Sequence, residues 1–273
     1  MGRFEGRVAL VTGAARGQGR SPAVNLAREG ADVAILDICD QMASVEYPMS
    51  SKEDLDETVA LIEAMGRRAL PMSVDVRVHD DVQGAVAQTV TELGRLDLVS
   101  ANAGILPTGN VAQKLEAWHA AIDTMLSGVF YTVRAATRSM TDRAVPGSVV
   151  ITGSTSSFRG VSYNLDILSP GEVGYGAAKH GVLGIMRNFA MALGPYNIRV
   201  NTVAPMGVRT PMVVNDFFSS MHSSPPPGWM ANVMGASLIE PQDVSEAVLW
   251  LLSDESQYVT GITIPVDSGL LLA

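Results

Sequence analysis

Seven short apolar segments recur along the chain, and segments with helical character separate them. The apolar segments cover residues 7–12, 32–37, 69–75, 96–101, 148–153, 198–205 and 261–267. Their apolar character is continuous rather than alternating, which is typical of strands buried on both faces of a sheet. Strands that alternate with helices form parallel sheets. The pattern predicts one α/β domain over residues 1–273, with a doubly wound, mainly parallel, seven-stranded sheet covered by helices on both faces.

Residues at the ends of the intervening segments indicate helices. Ser51 is followed three positions later by Asp54, a spacing typical of a capped helix start. Two segments end at Gly66 and Gly94, where a left-handed glycine cap is expected, and Pro241 suits the first turn of the last helix. These signals support a regular alternation of strands and helices.

Two stretches match neither pattern. Residues 38–51 and 206–232 fit no regular element, yet strand-forming segments follow both, so we interpret them as insertions into one domain. A loop as long as the second is usually a lid or a binding loop. Its apolar residues would line a pocket or pack against a neighbouring subunit: Met206, Met212, Val213, Phe217, Phe218, Met221, Trp229 and Met230.

The composition limits the possible partners. Of the 273 residues, 47% are hydrophobic and 17% charged, as in a globular protein. A net charge of −9 without a basic cluster opposes binding to nucleic acid or to anionic membranes. The single cysteine, Cys39, cannot form an internal disulfide. No apolar segment approaches the ~20 residues that a membrane helix needs, and we expect a soluble, cytoplasmic protein.

A glycine-rich loop, VTGAARGQGR (residues 11–20), follows the first predicted strand and begins the first helix. Glycines allow a tight turn there, and the N–H groups of the helix N-terminus favour a pyrophosphate. Asp37 follows Gly19 by 18 residues and ends the second strand, where a carboxylate accepts ribose hydroxyls. A 2′-phosphate would meet that carboxylate as a like charge, which favours NAD over NADP. Arg16 is the counter-argument, because it could pair with a 2′-phosphate.

Other candidate cofactor contacts follow later strands. Asp75 and Val76 could contact adenine, although an aspartate at a strand end is often only a helix cap. Small residues at 101–104 would let a cofactor lie against the backbone at the carboxyl ends of the strands. The predicted cofactor-binding residues are Gly13, Arg16, Gly17, Gln18, Gly19, Asp37, Ile38, Asp75, Val76, Asn102, Ala103, Gly104, Tyr175, Lys179, Pro205, Gly207, Val208 and Thr210.

Three residues form a candidate catalytic group. Tyr175 and Lys179 are four positions apart in a segment that is expected to be helical, so both side chains lie on one helix face. Ser154 stands just past the fifth strand, so all three can reach one point above the sheet. A phenol has a pKa of about 10. A nearby ammonium and a positive nicotinamide ring both favour the phenolate, so Tyr175 could act as a base near neutral pH.

In their order along the chain, TGAARGQG, ANAG, Ser154, YGAAK and NTVAPMGVRTPM resemble the motifs of the short-chain dehydrogenase/reductase family, over essentially the whole chain. The resemblance implies a Rossmann-type sheet, a nicotinamide cofactor and hydride exchange between an alcohol and a carbonyl. It implies that Tyr175 is the acid/base, that Lys179 binds the nicotinamide ribose and lowers the tyrosine pKa, and that Ser154 orients the substrate. Asn102 would bind backbone or ribose, and Thr210 would face the carboxamide. The family's habit implies a homotetramer.

A narrower resemblance concerns residues 36–68. An insertion after the second strand, together with GQGRS in the glycine loop, is similar to the carveol-dehydrogenase-like, mycofactocin-coupled branch of the family. That branch implies a nicotinamide that stays bound and is reoxidised by an external redox partner. Residues 38–51 would then fold over the adenosine half of the cofactor. The alternative is a solvated surface loop.

The chain departs from the family pattern at two places. Met125 stands where the family usually has an asparagine that supports a water chain from the lysine to solvent. A thioether is a weak acceptor and no donor, so proton release would be slower or would pass through Thr124 or Ser127. The separation of Ser154 and Tyr175, 21 residues, is longer than usual and predicts an added lip on the active site. Tyr163 in that lip has no lysine four residues on and is a poor rival base.

These observations together predict an NAD-dependent dehydrogenase for a small, apolar, cyclic or terpene-like secondary alcohol, with no metal. A reductase of 3-oxoacyl groups on a carrier protein is the nearest alternative. A weakly active dinucleotide-binding sensor is an alternative of another class, because of Met125. The C-terminal LLLA segment is expected to be a subunit contact rather than part of the site.

Overall fold

The computed structural model describes residues 2–160, 162–165, 167–221 and 226–273. Its strands are β1 (Val8–Thr12), β2 (Asp32–Asp37), β3 (Ala69–Ser73), β4 (Leu98–Ala101), β5 (Gly147–Thr152), β6 (Ile198–Pro205) and β7 (Thr263–Val266). Its α-helices are α1 (Gly17–Arg28), α2 (Lys52–Glu63), α3 (His79–Leu93), α4 (Leu115–Ile122), α5 (Gly128–Asp142), α6 (Pro170–Leu193), α7 (Asp216–Met221) and α8 (Pro241–Leu252). All strand pairs are parallel, in the order β3-β2-β1-β4-β5-β6-β7, which confirms the predicted sheet.

Alternate residues of the central strands belong to two separate cores, one on each face of the sheet. Val8 and Leu10 of β1 pack into the core formed with α3, α5 and α6. Ala9 and Val11 pack into the core formed with α1, α2 and α8. Because successive side chains of a strand point to opposite faces, a strand covered on both sides needs apolar residues at every position. This requirement explains the continuous apolar segments of the sequence.

The expectation of burial on both faces is wrong for the two edge strands. In β3 only Met72 is buried, and in β7 no residue is buried. An edge strand has a neighbour on one side only, and its exposed residues remain accessible in the single chain. Hydrophobic content alone did not separate these strands from the central ones.

Most predicted helix ends agree with the structure, but α2 ends at Glu63 with Ala64 as its C-cap, two residues before the left-handed Gly66. Ser51 and Asp54 form a reciprocal capping box at the start of α2, and Gly94 ends α3 with a left-handed φ of 92°. The expectation that 206–232 contains no regular element is wrong for α7. Asn215 supplies the local cause, because its Oδ1 accepts a hydrogen bond from the Phe218 N–H at 2.7 Å. The segment 38–51 contains neither helix nor strand.

The strand order places the functional cleft. The chain moves outward from β1 to β2 and β3, then crosses back to β4 on the other side of β1. Loops after β1 and β4 therefore diverge at the carboxyl end of the sheet, where open α/β sheets bind ligands. Among the residues that the structure describes, no helix combines the length and apolar character needed to cross a membrane.

Candidate active site

One continuous cleft at the carboxyl end of the sheet brings the predicted site residues together. All of the predicted cofactor and catalytic residues line it: Gly13, Arg16, Gly17, Gln18, Gly19, Asp37, Ile38, Asp75, Val76, Asn102, Ala103, Gly104, Ser154, Tyr175, Lys179, Pro205, Gly207, Val208 and Thr210. The strands that precede these residues are far apart in sequence and adjacent in the sheet. The cleft is thus a product of the topology.

The glycine loop is too tightly packed for side chains at two positions. Gly13 has a φ of 66°, and a Cβ there would lie 2.9 Å from the Ala103 Cα. A Cβ at Gly19 would lie 1.9 Å from the Gly13 carbonyl oxygen. Helix α1 starts directly after this turn. Its N-cap residue, Arg16, makes no side-chain hydrogen bond to the N–H groups of the first turn. Its N-terminal N–H groups are therefore available to an anion.

The neighbouring Gln18 supports the same interpretation. Its buried Oε1 atom has no hydrogen-bond partner among the described residues, although it lines the cleft. Buried acceptors without partners are rare in proteins. The free N–H groups, the close glycine packing and this acceptor fit the phosphates and hydroxyls of a dinucleotide.

Asp37 is more constrained than the sequence indicated. One carboxylate oxygen, Oδ2, accepts a hydrogen bond from the Ala15 N–H at 2.9 Å, and Oδ1 accepts one from the Ser50 hydroxyl at 2.6 Å. The carboxylate is thus fixed at the cleft wall by the glycine loop and by the segment 38–51. Its remaining lone pairs are the ones that ribose hydroxyls could use.

The other candidate cofactor residues have mixed surroundings. Asp75 is paired with Arg77 at 2.6 Å and does not cap α3, whose N-cap residue is Val78. Asn102 donates from its amide to the Thr12 carbonyl at 3.1 Å, and its Oδ1 accepts from the Thr152 hydroxyl at 3.1 Å. The Asn102 side chain therefore joins β1, β4 and β5 at the floor of the cleft.

Ser154, Tyr175 and Lys179 meet above β5. The Ser154 hydroxyl is hydrogen-bonded to the Tyr175 phenol. Lys179 is 4% exposed, and its Nζ donates to the Thr152 carbonyl at 2.7 Å. The same Nζ lies 5.9 Å from the centre of the Tyr175 ring. The arrangement places a proton-transfer group, a hydroxyl and a cation within one small volume.

Burial is the largest influence on the pKa values of Lys179 and Tyr175. It lowers the pKa of Lys179 to about 8, because an ammonium loses hydration in the interior. Burial also raises the pKa of Tyr175, a shift that Ser154 opposes and the Glu172 carboxyl increases. Burial thus opposes the phenolate form of Tyr175. The predicted effect of the Lys179 ammonium and of an oxidised nicotinamide acts in the opposite direction.

The segment 38–51 reaches farther than the adenosine side. Arg16 donates to the Pro48 carbonyl near the glycine loop. Tyr47, which is 3% exposed, accepts a hydrogen bond at its phenol oxygen from the Leu106 N–H at 3.2 Å. Met42 and Tyr47 also pack in the small core that contains Met125 and contacts Tyr175. The segment thus extends from the adenosine side to the catalytic side of the cleft.

Met125 lies in a π-helical turn, Asp123–Ser127, that joins α4 to α5. Met125 is fully buried, and its Sδ lies close to Gly104 in the loop after β4. The adjacent Thr124 lines the cleft, and its buried Oγ1 has no partner within the described part of the chain. Thr124 therefore has a free hydroxyl at the cleft, where the predicted alternative path for protons would need one. Ser127, the other residue predicted for that path, lies in the same turn.

The lip and the lid predicted from the sequence touch each other. Tyr163 packs edge-on against Trp229, with ring centres 4.9 Å apart, and Arg159 donates to the Trp229 carbonyl at 2.9 Å. The lid residues that line the cleft are Met206, Met212, Val213, Phe218, Trp229 and Met230. The side chains of Phe217 and Met221, and residues 222–225 as a whole, lie outside the described residues.

The C-terminal segment departs from the expectation. Leu270 is 2% exposed and lines the cleft, so part of the LLLA segment belongs to the site. Leu272 is 85% exposed. The sequence carried no signal that separated these two leucines.

The sequence reasoning missed Glu172. This residue is 3% exposed, lines the cleft and has a buried Oε1 without a partner among the described residues. Burial raises the pKa of its carboxyl to about 7. The available signal was Ser169 followed three residues later by glutamate, but that spacing predicts a helix cap rather than a cleft residue.

The substitution Glu172→Gln raises the melting temperature at pH 8 and leaves it unchanged near pH 4. In the folded protein the carboxyl has a pKa of about 7, raised from 4.5, so its contribution to stability falls as the pH rises from 4.5 to 7. A shift of this size corresponds to roughly 3 kcal/mol, or a melting temperature about 5–10 °C higher for the variant. Thermal unfolding at both pH values checks this. Glu63→Gln, at an exposed position on α2, is the matched control, and equal shifts in both variants would contradict the prediction.

The fold and the cleft define an oxidoreductase that binds a dinucleotide at the carboxyl end of a parallel sheet. A family model described as Enoyl-(Acyl carrier protein) reductase matches residues 13–271. The chain belongs to the short-chain dehydrogenase/reductase family, as its motifs indicated.

Three similar proteins of this family include two carveol dehydrogenases and one carrier-protein reductase. A carveol dehydrogenase from Mycobacterium avium, solved in complex with NAD, is 41% identical with a TM-score of 0.90, and each chain covers 100% of the other. The (-)-trans-carveol dehydrogenase of Rhodococcus erythropolis is 38% identical over 100% of both chains. A 3-oxoacyl-[acyl-carrier-protein] reductase FabG from Thermotoga maritima is 34% identical over 99% of this chain and 100% of its own.

Proposed function

We propose that the protein oxidises a small apolar secondary alcohol, cyclic or terpenoid, to its ketone with NAD as the hydride acceptor. The observation that carries this proposal is the junction of two regions within one cleft. The glycine loop and Asp37 form the dinucleotide end, and Ser154, Tyr175 and Lys179 form the reactive end. The two carveol dehydrogenases among the relatives support the substrate class.

The chain's own residues account for the proton transfer. Ser154, hydrogen-bonded to Tyr175, orients the substrate oxygen. NAD, when bound by the glycine loop and Asp37, would supply the acceptor for the hydride of the carbinol carbon. The hydroxyl proton passes to the Tyr175 phenolate, which leaves a C=O bond and a neutral phenol. Lys179, held by the Thr152 carbonyl, stabilises that phenolate through its positive charge.

Several apolar side chains favour an apolar substrate. The wall beside the reactive group is formed mainly by residues of the lid and of the segment 38–51, including Met42, Met212, Phe218 and Trp229. Methionine adapts to irregular shapes, which suits a branched ring. The contact of Tyr163 in the lip with Trp229 in the lid adds further apolar surface at this side of the cleft.

A second candidate function is reduction of a 3-oxoacyl group on a carrier protein. The matching family description and the FabG relative favour it. A net charge of −9 opposes it, because an acidic carrier would be repelled. Turnover of a 3-oxoacyl thioester with NADH, measured beside the alcohols, separates the two functions.

We propose further that NAD stays bound between turnovers and is reoxidised by an external redox partner, as in the mycofactocin-coupled branch. The segment 38–51 supports this, because it is attached at the glycine loop through Arg16 and Pro48 and at the catalytic side through Tyr47 and Leu106. A bound cofactor would lie beneath this strap, which is held by contacts at its adjacent residues Tyr47 and Pro48.

The test of these proposals is an absorbance experiment on the purified protein with a panel of cyclic and terpene alcohols. Without added cofactor, we expect reduction at 340 nm to stop near one equivalent per subunit and to resume when an artificial electron acceptor is added. Steady turnover that needs only free NAD would support the dehydrogenase and contradict the retained cofactor. The absence of reduction with every alcohol would favour the sensor or the carrier-protein reductase.

Tyr47→Phe accelerates the release of NAD by about tenfold. The variant leaves the buried Leu106 N–H without an acceptor, at a cost of roughly 1–3 kcal/mol, and so loosens the strap. Release of NAD during rapid dilution or dialysis measures the effect. Tyr258→Phe, at a position that is 92% exposed, is the matched control. Equal release rates in both variants and the parent would show that the strap does not hold the cofactor.

We also propose a cytoplasmic homotetramer. The single cysteine suits a reducing compartment. Exposed apolar side chains such as Met191, at 84%, and Leu272, at 85%, are suited to subunit contacts. Analytical ultracentrifugation gives the assembly directly, and a monomer at micromolar concentration would contradict this part of the proposal.

A further inference from the structure

Glu172 is a buried acid that the proposed mechanism does not use. It is the third residue of α6, one helical turn before Tyr175, and both side chains line the same cleft. Side chains at positions i and i+3 are neighbours on a helix surface, with Cβ atoms about 5–6 Å apart. The Glu172 carboxyl therefore lies on the same helix face as the Tyr175 phenol, which takes the substrate proton in the proposed mechanism.

The helix itself does not need this carboxyl. Ser169 caps α6 by accepting a hydrogen bond at its hydroxyl oxygen from the Glu172 N–H at 3.1 Å. In a reciprocal capping box the glutamate would return the bond to the Ser169 N–H. Here the Ser169 N–H donates instead to the Ile167 carbonyl at 2.9 Å. The side chain of Glu172 is thus left free to face the cleft.

Nothing that the structure describes compensates the buried acid. Its Oε1 has no hydrogen-bond partner among the described residues, and no ion pair between described residues includes it. Burial alone accounts for the raised pKa of the carboxyl, without a cation. A buried polar group in this state is costly, so a partner outside the chain is the natural explanation.

We propose that Glu172 accepts a hydrogen bond from a second hydroxyl group of the substrate. The preferred substrate is then a cyclic diol rather than a mono-ol. This inference rests on the proposed alcohol dehydrogenase function and deepens it. When a mono-ol of the same shape is bound, the buried Glu172 carboxyl has no hydrogen-bond partner on the substrate. Sites built to bind a hydroxyl discriminate strongly against analogues that lack it.

The helix geometry limits where the second hydroxyl lies. Because Glu172 and Tyr175 are one turn apart, the two hydroxyls fit within a single six-membered ring. The cis and trans isomers of 1,2-, 1,3- and 1,4-cyclohexanediol therefore form a suitable panel, with cyclohexanol as the matched mono-ol. In the parent we expect at least one diol to exceed cyclohexanol in kcat/KM by about 10- to 100-fold.

Two variants identify the cause of this preference. Glu172→Leu removes the acceptor and keeps the bulk, so kcat/KM for the diol falls at least tenfold toward that of cyclohexanol, about what one lost hydrogen bond costs. The readout is the ratio of kcat/KM for the diol to that for cyclohexanol, because the Glu172 carboxyl also raises the pKa of Tyr175 and so affects both substrates. Ser169→Ala removes the cap and leaves the carboxyl, so it lowers the melting temperature without changing the ratio of diol to mono-ol. A ratio that is the same in Glu172→Leu and the parent would overturn the inference.

A binding measurement keeps this test separate from that of the proposed function. Calorimetry on NAD-loaded Tyr175→Phe compares the diols with cyclohexanol in the absence of turnover, with and without Glu172→Leu. Tighter diol binding that depends on Glu172 supports the inference even if no alcohol is oxidised by the parent. Equal binding overturns it. Stronger binding of 4-aminocyclohexanol than of every diol would also overturn it, because the acid would then serve an ammonium group.

Discussion

Tyr175→Phe lowers kcat for alcohol oxidation by about 10²–10⁴-fold, the range typical of a lost general acid/base. The phenol is hydrogen-bonded to Ser154 and lies beside the Lys179 ammonium, and no other tyrosine among the described residues has both neighbours. The variant lacks only the hydroxyl, so NAD binding stays near that of the parent. Initial rates at saturating alcohol and calorimetry with NAD measure the two effects.

The matched control for this substitution is Tyr196→Phe, at a position 56% exposed beyond the far end of α6. It should keep the rate of the parent. If Tyr175→Phe and the parent were equally inactive while both bound NAD, this result would support the alternative hypothesis, suggested by Met125, that the protein is a dinucleotide-binding sensor. If Tyr175→Phe were as active as a competent parent, the assignment of the acid/base would be wrong.

Gly19→Ala weakens NAD binding by about 10- to 100-fold, because overpacking costs roughly 1–3 kcal/mol and each 1.4 kcal/mol is a factor of ten. The added methyl group would lie 1.9 Å from the Gly13 carbonyl oxygen and 2.9 Å from the Ala14 Cα. Backbone must therefore move at the point where the pyrophosphate is expected. Calorimetric titration with NAD, with circular dichroism as a check on folding, measures the loss.

Gly84→Ala is the control for the general effect of an added methyl group. Gly84 lies within α3, and a Cβ there meets no atom within 4 Å. Alanine is the better helix former, so this variant should be more stable by about 0.5–1 kcal/mol and should bind NAD like the parent. A Gly19→Ala protein with unchanged NAD affinity would show that the glycine loop does not hold the phosphates.

Local patterns were sufficient for the architecture. Continuous apolar segments identified the five central strands because a strand between two helical layers must be apolar at every position, as Val8 to Val11 illustrate. The same pattern identified β3 and β7, although their faces are largely exposed. The capping pair Ser51 and Asp54 identified the start of α2 because both partners lie within one turn. Tyr175 and Lys179 were found for the same reason, since their separation of four residues fixes their common helix face.

The sequence by itself therefore determined the elements, the family motifs and the shared helix face of Tyr175 and Lys179, all of which depend on short-range spacing. Only the tertiary structure decided which groups are satisfied and which remain free. Glu172 has the spacing of a cap, yet it faces the cleft because the Ser169 N–H is bonded to Ile167. Tyr47 reaches Leu106 across 59 positions of sequence, and Leu270 enters the cleft while Leu272 does not. These outcomes depend on packing between segments that are distant in sequence, and no local pattern encodes them.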